Sequence, residues 1–375
     1  MPGAARPLDG ITVIEIAQNL AGPYAGEILA RLGADVVKIE RPGGGDDARG
    51  WGPPFLDGAG SSFHAVNAGK RSVALDLRDP AALARLREAL ARADVLVQNL
   101  RAGALEALGL GAEALRAAYP RLIYCSVSAF GPTGPLRARP GYEPMMQAFS
   151  GLMLTGGHEG DPPGRIGVPL LDYGTGMWAA LGVLAALRQR ERTGAGCVVD
   201  ASLFETALGW LGGHFASRRI GGEVPERHPT GSSKLIPFQA FETKTGPLIV
   251  AAGNDRLFAA LARALERPEW AADPRYATNA GRYEHRATLL AAIDEIMRAR
   301  TKGEWLDRLE QAGVPCAPVQ TLVEALEQPQ AAASGMIQPV PGMDLTLMGL
   351  PLRFDGARPP IPGRAPRLGE HELPP

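Results

Sequence analysis

Ile11-Thr12-Val13-Ile14-Glu15-Ile16-Ala17, a helically spaced stretch from Gly22 to Leu32, and Asp35-Val36-Val37-Lys38-Ile39-Glu40 decide the fold class. The first and third are short apolar runs rich in β-branched residues, the composition of strands buried on both faces. With a helix between them they make a β-α-β unit, whose strands run parallel. Further on, Asp79 is placed to cap a helix from Pro80 to Ala93, with Pro80 at its first position. That helix leads to Asp94-Val95-Leu96-Val97-Gln98-Asn99, and another leads to Leu122-Ile123-Tyr124-Cys125-Ser126-Val127. Alternation of this kind predicts an α/β fold around a doubly wound parallel sheet. Such sheets bind ligands beyond the carboxyl ends of their strands, which directs attention to the loops after Ala17, Glu40, Asn99 and Ser128.

Composition narrows the function. The chain has 375 residues, 45% apolar and 21% charged, with a net charge of -1, enough for two domains. Basic residues are dispersed, and Arg188-Gln189-Arg190-Glu191-Arg192 is broken by an acid, so no nucleic-acid partner is expected. The most apolar stretch, Met177 to Leu187, is shorter than the roughly 18 residues of a bilayer span, so no membrane partner is expected. The N-terminus lacks a hydrophobic signal core, and Cys125, Cys197 and Cys316 are few, distant and odd in number. Both features point to the cytoplasm.

Several chemistries find no support in the residues. Gln18-Asn19-Leu20-Ala21-Gly22-Pro23-Tyr24-Ala25-Gly26 follows the first strand but is no dinucleotide fingerprint, having too few glycines and a proline in the turn. No phosphate-cradling lysine loop and no nucleophile elbow occur, and the six histidines never fall at metal-ligand spacing, so no metal is expected. Cys125 lies inside a strand and reads as a structural thiol. Carboxylate chemistry is left. Asp172 closes Gly167-Val168-Pro169-Leu170-Leu171 and is followed by Tyr173-Gly174-Thr175-Gly176 and an apolar stretch. Taken alone it reads first as a helix-capping residue, in a position that is costly for a charge unless something uses it.

Six segments carry a resemblance: Leu8 to Glu15; Ala21-Gly22-Pro23; Leu32 to Glu40; Asn67-Ala68-Gly69-Lys70-Arg71-Ser72; Gly131-Pro132-Thr133-Gly134 with Arg139-Pro140-Gly141-Tyr142-Glu143; and the Asp172 segment. Together, and in this order, they resemble the family III coenzyme A transferases, from about residue 8 to residue 371. The resemblance implies a CoA-binding Rossmann-like large domain, a smaller α+β domain and an interlocked homodimer. It implies coenzyme A and acyl-CoA as substrates rather than a tightly bound cofactor, and a carboxylic acid as acceptor. It also assigns the nucleophile to Asp172, which would pass through mixed anhydrides and an aspartyl-CoA thioester. Its place before a helix start is expected to keep it ionised, and Gly174 and Gly176 to leave room for acyl groups.

Residue by residue, the resemblance places CoA contacts at Leu20, Ala21, Arg41, Leu75, Arg78, Asn99, Leu100 and Arg101, with Tyr142 and Glu143 in the loop before the nucleophile. Ala107 departs from it, because many relatives carry a CoA-contacting arginine there; Arg101 or Arg78 would have to serve. Related α-methylacyl-CoA racemases use a histidine in the loop where this chain has Tyr142, and a phenol is a poor proton shuttle at neutral pH. Transfer is therefore preferred to the racemase alternative, and to a catalytically inactive CoA-binding protein.

After Pro225 the composition changes to turns and short strands, with Pro237 to Thr243 and Leu248 to Ala252 as strands and helices at Asp255 to Leu265 and Ala287 to Arg298. The expected organisation is a large domain over 1–212 and 335–375, a small domain over 225–330, and linkers at 213–224 and 331–334. Gly231-Ser232-Ser233 matches the family's loop that closes over the acylated aspartate. Pro237 to Glu242 and Gly253 to Phe258 look most like the branch that moves CoA from succinyl-CoA to dicarboxylic acids.

Overall fold

The structure is a computed structural model that describes residues 6–374. The chain forms two compact units, the first holding the residues up to Ser150, Arg165–Trp210 and the segment from Pro329 onward, the second Gly151–Gly164 and Leu211–Gln328.

The first unit is built on six parallel strands: β1 Thr12–Ile16, β2 Asp35–Glu40, β3 Arg71–Ala74, β4 Val95–Gln98, β5 Ile123–Ser128 and β6 Val198–Ser202. Their order is β3-β2-β1-β4-β5-β6. Val13 pairs with Val36 on one side and Val95 on the other, all in parallel register. This is the doubly wound order, in which the winding reverses between β1 and β4 and opens a crevice at the carboxyl edge. Helices α1 Ala21–Arg31, α2 Ser61–Asn67, α3 Pro80–Leu90, α4 Ala112–Ala118, α5 Glu143–Phe149, α6 Leu170–Thr193 and α7 Leu203–Trp210 belong to the same unit. Asp79 caps α3, its side chain accepting from the Ala81 amide, with Pro80 at the first turn as the spacing predicts. One face of the sheet packs Ile14, Val37, Val73 and Leu96 against Leu86 and Leu90 of α3.

By length and composition α6 is long and apolar enough to cross a membrane, which the shorter stretch Met177 to Leu187 did not suggest; half of its most apolar window is buried inside the fold.

In the second unit, β7 Phe238–Phe241, β8 Leu248–Ala251 and β9 Cys316–Pro318 form an antiparallel sheet with β8 central. It packs Phe241 and Val250 against Phe258, Leu289, Ile293 and Trp305. The boundaries differ from the expected ones. Residues 151–164 join this unit because Arg227 donates to the carbonyls of Gly156, Asp161 and Pro162 at 2.8, 2.7 and 3.3 Å. The supposed linker 213–224 is mostly helix α8, Gly212–Gly221, ended by Gly222 at φ 82. Its interior, His214 to Ile220, contains no breaker, and the flanking glycines serve as ends rather than as a flexible tether.

Candidate active site

Beyond the carboxyl ends of β1 to β4 lies a cleft of about 540 Å3. Its walls are Ile16-Ala17-Gln18, Ile39 to Pro42 with Gly45 and Asp46, Leu75 to Arg78, and Leu100 with Leu108. Of the expected CoA contacts, the structure brings Arg41, Leu75, Arg78 and Leu100 to this cleft. Arg41 is paired with Asp47, and Arg78 forks onto Asp76 with both bonds at 2.9 Å. Those two bonds hold the Asp76 carboxyl below its ordinary range. Ala107 is exposed beside cleft-lining Leu108.

Asn99 is not a wall residue. It clamps the two loops at the reversal of winding: the Gln18 amide donates to Asn99 Oδ1 at 2.9 Å, and Asn99 Nδ2 donates to the Gln18 carbonyl at 2.7 Å. Leu20 and Ala21 are buried at the start of α1, and exposed Arg101 also lies outside the cleft lining.

Asp172 is half-buried in the first turn of α6, the third residue of a helix that opens at Leu170 after Pro169. It takes no hydrogen bond or ion pair among the described residues, and burial, with Glu143 nearby, pushes its carboxyl up to about 7 while Arg165 opposes the rise. The helix start expected to keep it ionised therefore does not hold its titration at the ordinary aspartate value. A helix terminus offers about 0.3–1 kcal/mol, less than the cost of removing a carboxylate from water and placing it near a second one.

Glu143 begins α5 and is buried, and its carboxylate accepts from Arg165 Nη2 at 3.1 Å and from Gln147. Gln147 also bonds both backbone groups of Ile166, at 2.9 and 3.2 Å, tying α5 to the segment that leads into α6. Tyr142, just before α5, is 61% exposed.

The two glycines after Asp172 serve packing, not the acyl space expected of them. A Cβ on Gly174 would sit 2.2 Å from the Trp210 ring of α7, and one on Gly176 would sit 2.7 Å from the Ala21 carbonyl of α1. Close contact of α6 with α1 brings Tyr173 and Tyr24 edge to face at 4.8 Å. Cys125 is buried, with its thiol pushed up to about 12 by burial and by Asp200, as suits a structural residue.

In the second unit, Gly231-Ser232-Ser233 is a tightly tied turn. Ser232 N donates to the Phe238 carbonyl at 3.0 Å, and a Cβ at Gly231 would fall 1.8 Å from that oxygen. His228 Nδ1 accepts from the Gly231 amide at 2.9 Å.

The cleft lies at the winding reversal and the Asp172 carboxylate stands unpaired among the described residues; comparison with known proteins decides the family. The model of CoA-transferase family III matches residues 8–372. This chain belongs to that family. Among its relatives, the human succinyl-CoA:glutarate CoA-transferase is 35% identical over 98% of this chain and 84% of its own length. The acetyl-CoA:oxalate CoA-transferase of Acetobacter aceti is 38% identical over 97% of this chain and 93% of its own length. A CAIB/BAIF family protein from Brucella suis superimposes with a TM-score of 0.87 at 38% identity, over 98% of both chains.

For this CoA-transferase, sequence reasoning missed Arg165, Gln147 and the buried charges Glu15, Lys38 and Lys70. A signal existed for two of these. Glu15 and Lys38 stand inside otherwise apolar strand runs, where a charge needs a partner. Arg165 gave none, because only the fold carries it to Glu143.

Proposed function

We propose that this CoA-transferase moves CoA from succinyl-CoA to a dicarboxylic acid, with Asp172 as the nucleophile. The half-buried carboxylate of Asp172, unpaired and poised near 7, carries the reading. A carboxylate short of hydrogen bonds is a stronger nucleophile than a solvated one, and a titration point near neutrality leaves a large ionised fraction at working pH.

Asp172 attacks the donor thioester carbonyl, giving a mixed anhydride and CoA thiolate. The thiolate attacks the aspartyl carbonyl, releasing the donor acid and leaving aspartyl-CoA thioester. The acceptor carboxylate then attacks that carbonyl and expels thiolate, which attacks the acceptor side of the new anhydride to give acyl-CoA and free Asp172. No water enters, so the thioester's free energy is conserved.

The cleft suits the nucleotide end of CoA, with Arg41 and Arg78 as cations for its phosphates and Leu75 and Leu100 as apolar wall. Glutarate and oxalate, the acceptors in the two relatives' names, are both dicarboxylates, which supports that acceptor class. Tyr142, exposed and standing where the racemases carry histidine, supports transfer over proton shuttling. Met177, Trp178 and Leu181 of α6 are each more than half exposed, an apolar surface that supports the interlocked homodimer. The three unpaired cysteines support a cytoplasmic setting.

Incubation with succinyl-CoA and hydroxylamine tests the reading. Intact mass and peptide mapping should find a hydroxamate at Asp172, and Asp172→Asn should show neither adduct nor transfer. Full transfer by Asp172→Asn would defeat the assignment. A panel of mono- and dicarboxylate acceptors, reacting with monocarboxylates alone, would defeat the substrate class.

A further inference from the structure

Two lysines are buried beneath the connection from β1 to α1, and no step of the transfer uses either. Lys38 stands in β2, and Lys70 directly precedes β3. Glu15 of β1 joins them: its Oε1 accepts from Lys38 Nζ at 2.9 Å and its Oε2 from Lys70 Nζ at 2.7 Å. Each ammonium also donates to a backbone carbonyl of the connection, Lys38 to Ala17 and Lys70 to Pro23, both at 2.7 Å. Asp46 lies 2.8 Å from Lys38, and its Oδ1 accepts from the Asn19 amide at 2.9 Å. Asn19 itself sits at φ 67, a left-handed turn that a non-glycine residue adopts at a cost. Glu40 completes the cluster, accepting from the Asp46 amide at 2.9 Å and from Arg49 at 2.8 and 2.7 Å. Three carboxylates and three cations thus balance.

Burying these charges does not explain itself as stabilisation, since packed apolar side chains of similar volume do as well or better. What the cluster specifies is the backbone from Ala17 to Pro23. Ala17 and Gln18 are cleft wall. A few residues later the Ala21 carbonyl bears on Gly176, and Tyr24 meets Tyr173, the neighbour of Asp172. One short segment therefore touches both the cleft and the first turns of α6.

We propose that Glu15, Lys38 and Lys70 are positioning residues for CoA transfer, holding residues 17–24 so that the cleft and the α6 turn bearing Asp172 keep a fixed relation. The proposal rests on the reading of Asp172 as nucleophile. Burial opposes both ammonium charges. For Lys38, Glu15, Asp46 and Glu40 overcome it and raise the titration. Lys70 is lowered, burial and neighbouring Lys38 outweighing Glu15 and Glu27.

The test is the charge-balanced double variant Glu15→Gln/Lys70→Met, which removes one charge of each sign. Activity with succinyl-CoA and amide hydrogen exchange are read on the same sample. Exchange over residues 17–24 should quicken by about tenfold or more while β5 amides stay unchanged. With a cooperative thermal transition retained, kcat should fall roughly 10- to 100-fold and KM change by less than about threefold. Asp46→Asn, nearly isosteric, should give the same two effects at smaller size and serves if the double variant does not fold. A folded variant with kcat within about twofold of wild type, or with kcat lost and exchange over 17–24 unaltered, overturns the proposal. Full transfer by Asp172→Asn would instead sink the nucleophile assignment and leave the exchange result standing.

Discussion

Arg165 holds the Glu143 carboxylate at 3.1 Å, and the two act on Asp172 in opposite senses, Glu143 adding to the rise that burial causes and Arg165 opposing it. As the proposed nucleophile, Asp172 must be ionised to attack, so kcat/KM should climb as pH rises through about 7. Glu143→Gln removes the like charge and should move this acid limb to lower pH by about one unit or less. Arg165→Met should move it upward by a similar amount. pH–rate profiles of the three proteins check this; coincident limbs would mean that the pair does not act on Asp172.

Asp172 should also weaken the fold it serves. Its folded-state value, about 7, lies above the 3.8 of an ordinary aspartate, so between those limits the native state binds more protons than the unfolded one. Stability from this group is full below pH 3.8 and is lost as pH rises through about 7. Asp172→Asn should therefore stabilise the protein by roughly 1–3 kcal/mol at pH 8 and very little at pH 4, while abolishing transfer. Denaturant titrations at the two pH values decide it; a variant no more stable at pH 8 than wild type would contradict the expectation.

The approach of α6 to α1 and α7 leaves no space for a methyl group at Gly176 or Gly174. Gly176→Ala places a Cβ 2.7 Å from the rigid Ala21 carbonyl, and Gly174→Ala places one 2.2 Å from the Trp210 ring. Each should cost roughly 1–3 kcal/mol by overpacking. Because the first also presses on the segment that links the cleft to the Asp172 turn, Gly176→Ala should lower kcat as well, whereas Gly174→Ala should not. Thermal unfolding with steady-state kinetics separates them.

Ala107→Arg returns a cation beside Leu108 at the cleft. It should lower KM for acyl-CoA by roughly three- to tenfold at low salt, with the gain fading as ionic strength rises. An unchanged KM in dilute buffer would show that CoA phosphates do not reach this edge.

Much of the first unit was legible because two-sided burial writes strands as unbroken apolar runs and a capped helix announces its start at Asp79-Pro80. Two strands of the parallel sheet escaped. β3 has only four residues and opens with Arg71, and β6 carries Asp200 at its centre, so neither presents an apolar run. At the site, Asp172 was visible as a carboxylate in apolar surroundings, but the upward shift of its titration was not. Sequence shows a helix start and hides the neighbours that tertiary structure brings, here Glu143 from α5 and Arg165 from the segment before α6. Gly174 and Gly176 were likewise read as space for a ligand, when Trp210 and Ala21 fill it.

The pairing of Arg41 with Asp47 and of Arg78 with Asp76 has a kinetic corollary. A cleft whose arginines are already neutralised presents little long-range field, so an approaching polyanion is not drawn in, and encounter should proceed at an unsteered rate that varies little with ionic strength. On the proposed reading of Arg41 and Arg78 as cations for CoA, a phosphate has to displace a tethered carboxylate. The same carboxylate stands ready to take the guanidinium back when product departs. Capture and release would both run through this exchange of partners, suiting an enzyme that must let go of one thioester to accept the next.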